Sequence, residues 1–144
     1  MTIDETLFLY LIGLKKMFKE QGIITLGPPP MKWNRDIVSV ESKDAFVLDY
    51  YRGEVNLKRY SLNKRYRTTI NLIRICSQGR HTNPDGTSFK GPHLHLYKEG
   101  FEDRIAHPIS ILGLGDECSV EDALLALLKY INLQPIPSIQ TVIT

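Results

Sequence analysis

The chain has 144 residues, of which 42% are hydrophobic and 24% charged, and its formal net charge is +2. This composition is ordinary for a globular protein, so we expect one domain over residues 1–144 that is long enough to bury a core without disulfides or metal ions. Two cysteines are too few for a disulfide framework, and the N-terminal residues do not resemble a secretory signal. Charged residues interrupt the apolar runs well short of a membrane span, so we expect a cytoplasmic protein with no membrane partner.

The N-terminal segment predicts an amphipathic helix over residues 4–21, with Gly22 just past its end. Four apolar side chains recur there at helical spacing: Leu7, Leu11, Leu14 and Phe18. The prolines at positions 28–30 then forbid regular hydrogen-bonded structure and predict a stiff connector.

Strands are predicted from Ile37 to Cys76. Residues 37–40 and 45–50 flank a polar linker suited to a hairpin, and alternating residues follow from Val55 to Tyr60. The run from Thr68 to Cys76 has apolar side chains on both faces, which predicts an interior strand of the sheet.

The segment 58–67 is strongly basic. It holds five cations, two tyrosines and no acid: Lys58, Arg59, Tyr60, Lys64, Arg65, Tyr66 and Arg67. Cations attract phosphates and unpaired bases stack on tyrosine, so the run predicts binding to RNA or another single-stranded nucleic acid. An acidic protein partner would bind the same surface, and a solvated hairpin that protects a sheet edge is the alternative without a partner.

A long loop at residues 77–91 leads into the strand that we expect to carry a functional site. The sequence Asn83-Pro84-Asp85-Gly86 favours a defined turn within this loop. On the strand that follows, side chains alternate between faces, so His93, His95 and Tyr97 are predicted to project to one side.

Three interpretations of these histidines stay open. In the first, His93 and His95 are a pair of metal ligands, completed by His81 or Asp85 and suited to zinc, iron or manganese. Without a cofactor, the same imidazoles would serve as base and acid in RNA cleavage, because histidine titrates near neutral pH. In the third interpretation they are structural: they anchor the long loop, and Tyr97 bonds to backbone.

The C-terminal part predicts a short strand from Arg104 to Ile109, which Pro108 confines to an edge. A second helix is predicted to begin at Ser119, with Glu121 and Asp122 in its first turn. The order helix, strands, helix favours an α+β fold in which an antiparallel sheet of about five strands is flanked by an N-terminal and a C-terminal helix.

The central motif also carries a resemblance to a known family. The string His81-x-Asn-Pro-Asp-Gly, followed by Gly91-Pro-His-Leu-His-Leu-Tyr-x-Glu-Gly, resembles the centre of a family of small proteins from bacteria and their mobile elements. The resemblance implies a shared fold and a shared site, at His81, Asn83, Asp85, His93, His95 and Tyr97. It implies no activity, but by analogy it favours toxin–antitoxin and phage–host conflict as contexts.

The sequence therefore predicts an RNA- or polyanion-binding protein. In the enzyme hypothesis it is a toxin-like, metal-independent endoribonuclease whose catalytic residues are His81, His93, His95 and Tyr97. The alternative is a non-catalytic phage or mobile-element protein that inhibits a host nucleic-acid-binding complex, as an anti-defence protein does.

Overall fold

The computed structural model describes residues 3–28, 30–51, 53–62 and 67–142. The helices are α1 (Glu5–Gly13), a short 3-10 helix (Ile109–Leu112) and α2 (Val120–Tyr130). The strands are β1 (Lys16–Phe18), β2 (Ile24–Leu26), β3 (Lys32–Ser39), β4 (Ala45–Tyr51), β5 (Glu54–Leu62), β6 (Arg67–Cys76), β7 (Arg80–Thr82), β8 (Ser88–Lys90), β9 (His93–Leu96), β10 (Ala106–Pro108) and β11 (Ile139–Thr141).

A seven-stranded antiparallel sheet dominates the fold, in the order β1-β3-β4-β5-β6-β9-β10. The predicted α+β class is confirmed, with one helix before the sheet and one after it, although the sheet has seven strands rather than about five. The predicted edge strand is confirmed as β10, and β6 lies in the interior of the sheet as expected. Two small sheets accompany it: β2 pairs in parallel with β11, and β7 pairs with β8.

The hydrophobic core lies on one face of this sheet. Strand residues such as Phe46, Leu57 and Leu94 are fully or almost fully buried there. They form one cluster with the apolar sides of both helices, represented by Leu11 of α1 and Leu127 of α2. The helices therefore cover only one of the two faces of the sheet.

Polar side chains occupy the opposite face, because alternate residues of each strand point away from the core. They form two rows of cross-strand neighbours, which we name after the histidine at the end of each. The His95 row is Asn34, Asp49, Asn56, Arg74 and His95. The His93 row is Lys32, Tyr51, Glu54, Cys76 and His93, in which Glu54 contacts Cys76 through its side chain.

The first helix is shorter than predicted. It begins where the Asp4 carboxylate accepts a hydrogen bond from the Leu7 amide at 2.7 Å, and it ends at Gly13 rather than near residue 21. Residues 16–18 form β1 instead, paired with Ile37–Ser39. The prediction was wrong because tertiary pairing of this segment outweighs the helical spacing of Leu14 and Phe18.

Lys16 of β1 joins the C-terminal ends of both helices. Its side chain is fully buried, and its Nζ donates to the carbonyls of Ile12 at 2.9 Å, Leu14 at 2.9 Å and Ile131 at 2.7 Å. Burial lowers the pKa of Lys16 to about 8, while the Asp44 carboxylate acts in the opposite direction. The ammonium is therefore protonated at neutral pH and its three N–H groups satisfy three helix-end carbonyls.

The second helix agrees with the prediction. Ser119 caps it through a reciprocal pair of hydrogen bonds with Asp122, and Glu121 also lies in the first turn. Its inner side, including Leu124 and Leu128, is fully buried. Within the described ranges, no helix has the length and apolar composition needed to cross a bilayer.

Candidate metal centre

The predicted long loop contains a small hairpin, formed by β7 and β8. Its turn has the defined shape expected of Asn83-Pro84-Asp85-Gly86: the Asp85 carboxylate accepts from the Thr87 amide at 2.9 Å, and Gly86 has a φ of 91°. That φ lies in the left-handed region, where glycine is favoured because it lacks a Cβ.

Two side chains of the hairpin attach it to the start of β10 and to the residues just before it. The buried Asn83 donates through Nδ2 to the Ala106 carbonyl at 2.9 Å and accepts from the Ala106 amide at 2.8 Å. The Nε2 atom of His81 lies 2.8 Å from the Arg104 carbonyl. The hairpin is therefore held against the polar face of the sheet, at the histidine end of both rows.

Replacing Asn83 by alanine is expected to lower the free energy of unfolding by about 1–3 kcal/mol, because a buried amide and carbonyl of Ala106 lose their partner. We also expect faster proteolysis within residues 77–91. Urea unfolding and limited proteolysis measure the two effects, with Asn34→Ala, at an exposed asparagine, as the matched control. Equal losses in both variants would refute the anchoring role of Asn83.

Three imidazoles meet under the hairpin. The ring centroids of His81 and His95 are 4.7 Å apart, those of His93 and His95 are 5.1 Å apart, and those of His81 and His93 are 6.0 Å apart. His93 and His95 are only 3% and 2% exposed, whereas His81 is half-buried. The structure thus brings together three of the four predicted catalytic residues.

Each of these rings has one nitrogen against a backbone carbonyl. Nδ1 of His93 lies 2.8 Å from the Gly91 oxygen, and Nδ1 of His95 lies 2.9 Å from the Asp103 oxygen. A carbonyl only accepts, so the nitrogen that faces it must carry the hydrogen. This assignment leaves Nε2 of His93 and His95, and Nδ1 of His81, with a lone pair when the rings are neutral.

The His95 ring is held in its neutral form. Burial lowers the pKa of His95 to about 4, and the neighbouring charge of Arg74 acts in the same direction. Arg74 is the cross-strand neighbour of His95, and its Nε lies 3.6 Å from the Asp103 carboxylate. A neutral imidazole with one nitrogen already bonded presents the other as an electron-pair donor.

Cys76 lies beside the two buried histidines, directly opposite His93 in the strand pairing. One potential ligand atom each from Cys76, His93 and His95 lie within 4.8 Å of one another, and all three residues are buried. The Cys76 thiol donates to Oε1 of Glu54 at 3.2 Å. Burial raises the pKa of Cys76 to about 12, and this hydrogen bond adds to the shift, so without a metal the thiol is not an activated nucleophile.

Tyr97 takes no part in this cluster. β9 ends at Leu96, and the Tyr97 ring stacks on Phe8 in the core with its centroid 6.2 Å away. Its hydroxyl accepts from the Ile3 amide at 3.0 Å and donates to the Ile3 carbonyl at 3.1 Å. The expectation that Tyr97 shares a face with the histidines is therefore wrong, and its bond to backbone agrees with the structural interpretation.

The ligand set differs from the expected one in its third member. Asp85 is exposed in the hairpin turn, and neither Asp85 nor His81 belongs to the group of converging ligand atoms. In the sequence Cys76 ends an apolar run, which is typical of a thiol in the core and not of a ligand. Its spacing of two from Arg74 was the available signal, since alternation puts both residues on the polar face.

The two cations of the basic segment whose side chains the structure describes, Lys58 and Arg59, are each paired with a carboxylate. Lys58 Nζ lies 3.3 Å from the Asp49 carboxylate, and Arg59 Nη2 lies 3.1 Å from that of Asp44. The two cations also point to opposite faces, because Arg59 pairs with the core residue Phe46. Tyr60 is half-buried on the Lys58 side. Lys64, Arg65 and Tyr66 lie outside the described residues. Arg67 is described only as the first residue of β6.

Comparison with known proteins places the chain in one family. The family of unknown function DUF6978 matches residues 3–133, so the chain belongs to it. No curated protein sequence and no solved structure matches the chain. This membership agrees with the expected resemblance to a family without an assigned activity. The family therefore gives no activity with which the site can be compared.

Proposed function

We propose that this protein binds one zinc ion through Cys76, His93 and His95. The observation that supports this proposal is the convergence of one sulfur and two imidazole nitrogens within 4.8 Å. Donor atoms around a tetrahedral zinc lie about 3.3–3.6 Å apart, given bonds of about 2.1 Å to nitrogen and 2.3 Å to sulfur. Small side-chain rotations would close the group around the ion.

The surroundings of the imidazoles also support metal binding. Histidine ligands almost always donate their second ring N–H to a carbonyl or carboxylate, which fixes the tautomer and the orientation of the ring. His93 and His95 have such carbonyl partners at 2.8 and 2.9 Å. The two rings are therefore oriented as ligands by the fold itself.

The donor set favours zinc over other common ions. Thiolate and imidazole suit zinc, whereas magnesium and calcium take oxygen ligands. Binding would release the proton that the Cys76 thiol now shares with Glu54, since the thiolate is the ligand form. Glu54 would then remain beside the metal as a carboxylate that is partly exposed to solvent.

Three protein ligands leave one coordination position, and its occupant decides the class of site. A fourth protein ligand gives a closed structural site, whereas a bound water gives a catalytic one. His81 is the neighbouring donor, since its Nε2 is bonded to the Arg104 carbonyl and its Nδ1 has the lone pair. X-ray absorption of zinc-loaded wild type and His81→Ala counts the nitrogen ligands and separates the two classes.

Untagged protein purified from zinc-supplemented cells is expected to contain about one zinc per chain. Cys76→Ser and His95→Ala are expected to lose it, because each removes a ligand. Cys118→Ser and His107→Ala serve as matched controls, since they change a cysteine and a histidine outside the group. Elemental analysis after gel filtration measures the metal content, and circular dichroism verifies that each variant is folded.

Two results would refute the zinc proposal. One is a folded wild-type chain that takes up no zinc during dialysis against the ion. The other is equal zinc loss in Cys118→Ser and Cys76→Ser, which would show that the metal is not bound at the proposed ligands.

RNA or single-stranded nucleic acid, or an acidic protein, remains the proposed partner of the basic segment, and a cytoplasmic location remains proposed with it. The ribonuclease hypothesis for His93 and His95 stays a prediction. Both rings are almost fully buried, so an RNA phosphate could reach them only after the hairpin moves. A bacterial or mobile-element toxin and an inhibitor of a host nucleic-acid-binding complex both stay proposals of the same kind.

A further inference from the structure

A groove crosses the polar face of the sheet beside the candidate metal centre. It has a volume of about 380 Å³. Seven polar-face residues of β3, β4 and β5 line it, together with Trp33 and Tyr50: Lys32, Asn34, Asp49, Tyr51, Glu54, Asn56 and Lys58. Sites for small organic ligands have volumes of about 300–1,000 Å³, so the groove is large enough for one such molecule.

Three neighbouring residues of the His95 row each have a buried polar atom without a hydrogen bond in the described part of the chain. These atoms are Oδ2 of Asp49, Oδ1 of Asn56 and Nε of Arg74. Asp49 and Asn56 are direct cross-strand neighbours within the groove. Oδ1 of Asn56 has no partner among the described residues, and Oδ2 of Asp49 has only its ion pair with Lys58, at 3.3 Å. Buried polar atoms without hydrogen bonds are few in native proteins, so these two adjacent acceptors indicate a ligand with N–H or O–H donors.

The charges of the groove favour a ligand whose contacting edge is neutral. Lys58 Nζ lies 3.3 Å from the Asp49 carboxylate, and Arg74 Nη1 lies 3.5 Å from that of Glu54. Both carboxylates are thus balanced by a cation. Access to Oδ2 of Asp49 requires Lys58 to turn away, and this long side chain is 36% exposed.

An aromatic ring and a cation lie side by side at the rim of the groove. Tyr51 is 50% exposed and is the direct cross-strand neighbour of Lys32, which is also exposed. Exposed tyrosine rings stack on nucleobases, and lysine ammonium groups bind phosphate. A ligand that complements these residues has hydrogen-bond donors, an aromatic face and a phosphate group, and a nucleotide has all three.

We propose that this groove binds one guanine nucleotide, with the base on Tyr51 and the phosphate at Lys32. The adjacent N1–H and N2–H groups of guanine would donate to Asp49 and Asn56. Uracil and cytosine have fewer adjacent donors on this edge. A free mononucleotide and an unpaired guanosine of a single-stranded RNA share this chemistry. The proposal is independent of zinc, because none of these four residues belongs to the metal ligands.

Titration of the full-length chain with GMP, UMP, guanosine and a six-nucleotide RNA with one central guanosine tests the proposal. Calorimetry is expected to show binding of GMP at least tenfold tighter than that of UMP. Tyr51→Ala and Asn56→Ala are each expected to weaken GMP binding at least tenfold. Lys32→Ala is expected to weaken the binding of GMP but not that of guanosine. RNA binding tighter than GMP binding identifies a single strand as the source, and equal affinity identifies the free nucleotide.

Tyr10→Ala is the matched control, because Tyr10 on α1 is 52% exposed and lies outside the groove. Cys76→Ser, which removes a zinc ligand, is expected to bind GMP as wild type does, so a failure of the zinc proposal is measured separately. The nucleotide proposal is overturned if a folded chain binds neither GMP nor the RNA at millimolar concentration. Equal weakening by Tyr10→Ala and Tyr51→Ala, or tighter binding of methyl glucoside than of GMP, would overturn it as well.

Discussion

Zinc is expected to raise the free energy of unfolding of the metal-free protein by about 4 kcal/mol when the free ion stands about a thousandfold above its dissociation constant. The gain arises because Cys76 on β6 and the two histidines on β9 meet only in the folded chain. Urea unfolding curves of metal-free protein, recorded with and without buffered zinc, measure the difference.

The two cysteines make this experiment specific. Cys76→Ser is expected to gain little stability from zinc, whereas Cys118→Ser should gain as much as wild type, because Cys118 is outside the cluster. If zinc stabilised Cys76→Ser as strongly as wild type, the ion would be binding through other residues. The assigned ligand set would then be wrong.

Lys16→Met is expected to lower the free energy of unfolding by about 3–5 kcal/mol. The substitution keeps most of the apolar length of the side chain but removes an ammonium that donates to three carbonyls. The buried carbonyls of Ile12 and Ile131 and the partly buried carbonyl of Leu14 would then lose this partner at the ends of α1 and α2. Thermal and urea unfolding measure the loss.

Lys15→Met is the control for this experiment, because Lys15 is the adjacent lysine and is exposed. It is expected to change stability by less than about 0.5 kcal/mol, as surface substitutions usually do. A Lys16→Met protein as stable as Lys15→Met would mean that the three hydrogen bonds contribute no net stability. Lys16 would then be a tolerated charge rather than the connection between the helix ends.

Local patterns in the sequence predicted the elements whose structure depends on nearby residues. The helix that starts after Ser119 and the turn at residues 83–86 are both determined by side chains that bond to adjacent backbone. The first helix could not be delimited in this way. Its end depends on Lys16 and on the pairing of β1 with Ile37–Ser39, and neither contact has a signal in the local spacing.

The candidate site was also predictable only where it depends on local sequence. The pair His93 and His95 follows from alternation along one strand, but the position of Cys76 opposite His93 depends on which strands are neighbours. A β-bulge between Leu57 and Lys58 also disturbs the alternation in β6, where the consecutive residues Leu72 and Ile73 are both buried. Because Leu72 and Ile73 are consecutive, a regularly alternating strand would have apolar side chains on both faces. The apolar pattern of the strand therefore gave no indication that Cys76 lies on a polar face.

The strand pairing of Cys76 with His93 makes the position of these two side chains independent of the hairpin that covers them. Residues 77–92 lie between them along the chain, yet the two residues are neighbours across β6 and β9. The spacing of these two proposed ligands is therefore fixed by the backbone hydrogen bonds of the large sheet and not by the length of the hairpin. Changes in the hairpin would alter what can reach the site and leave the ligands where they are. In this fold, selectivity could diverge between related proteins while the chemistry of the donors stays the same.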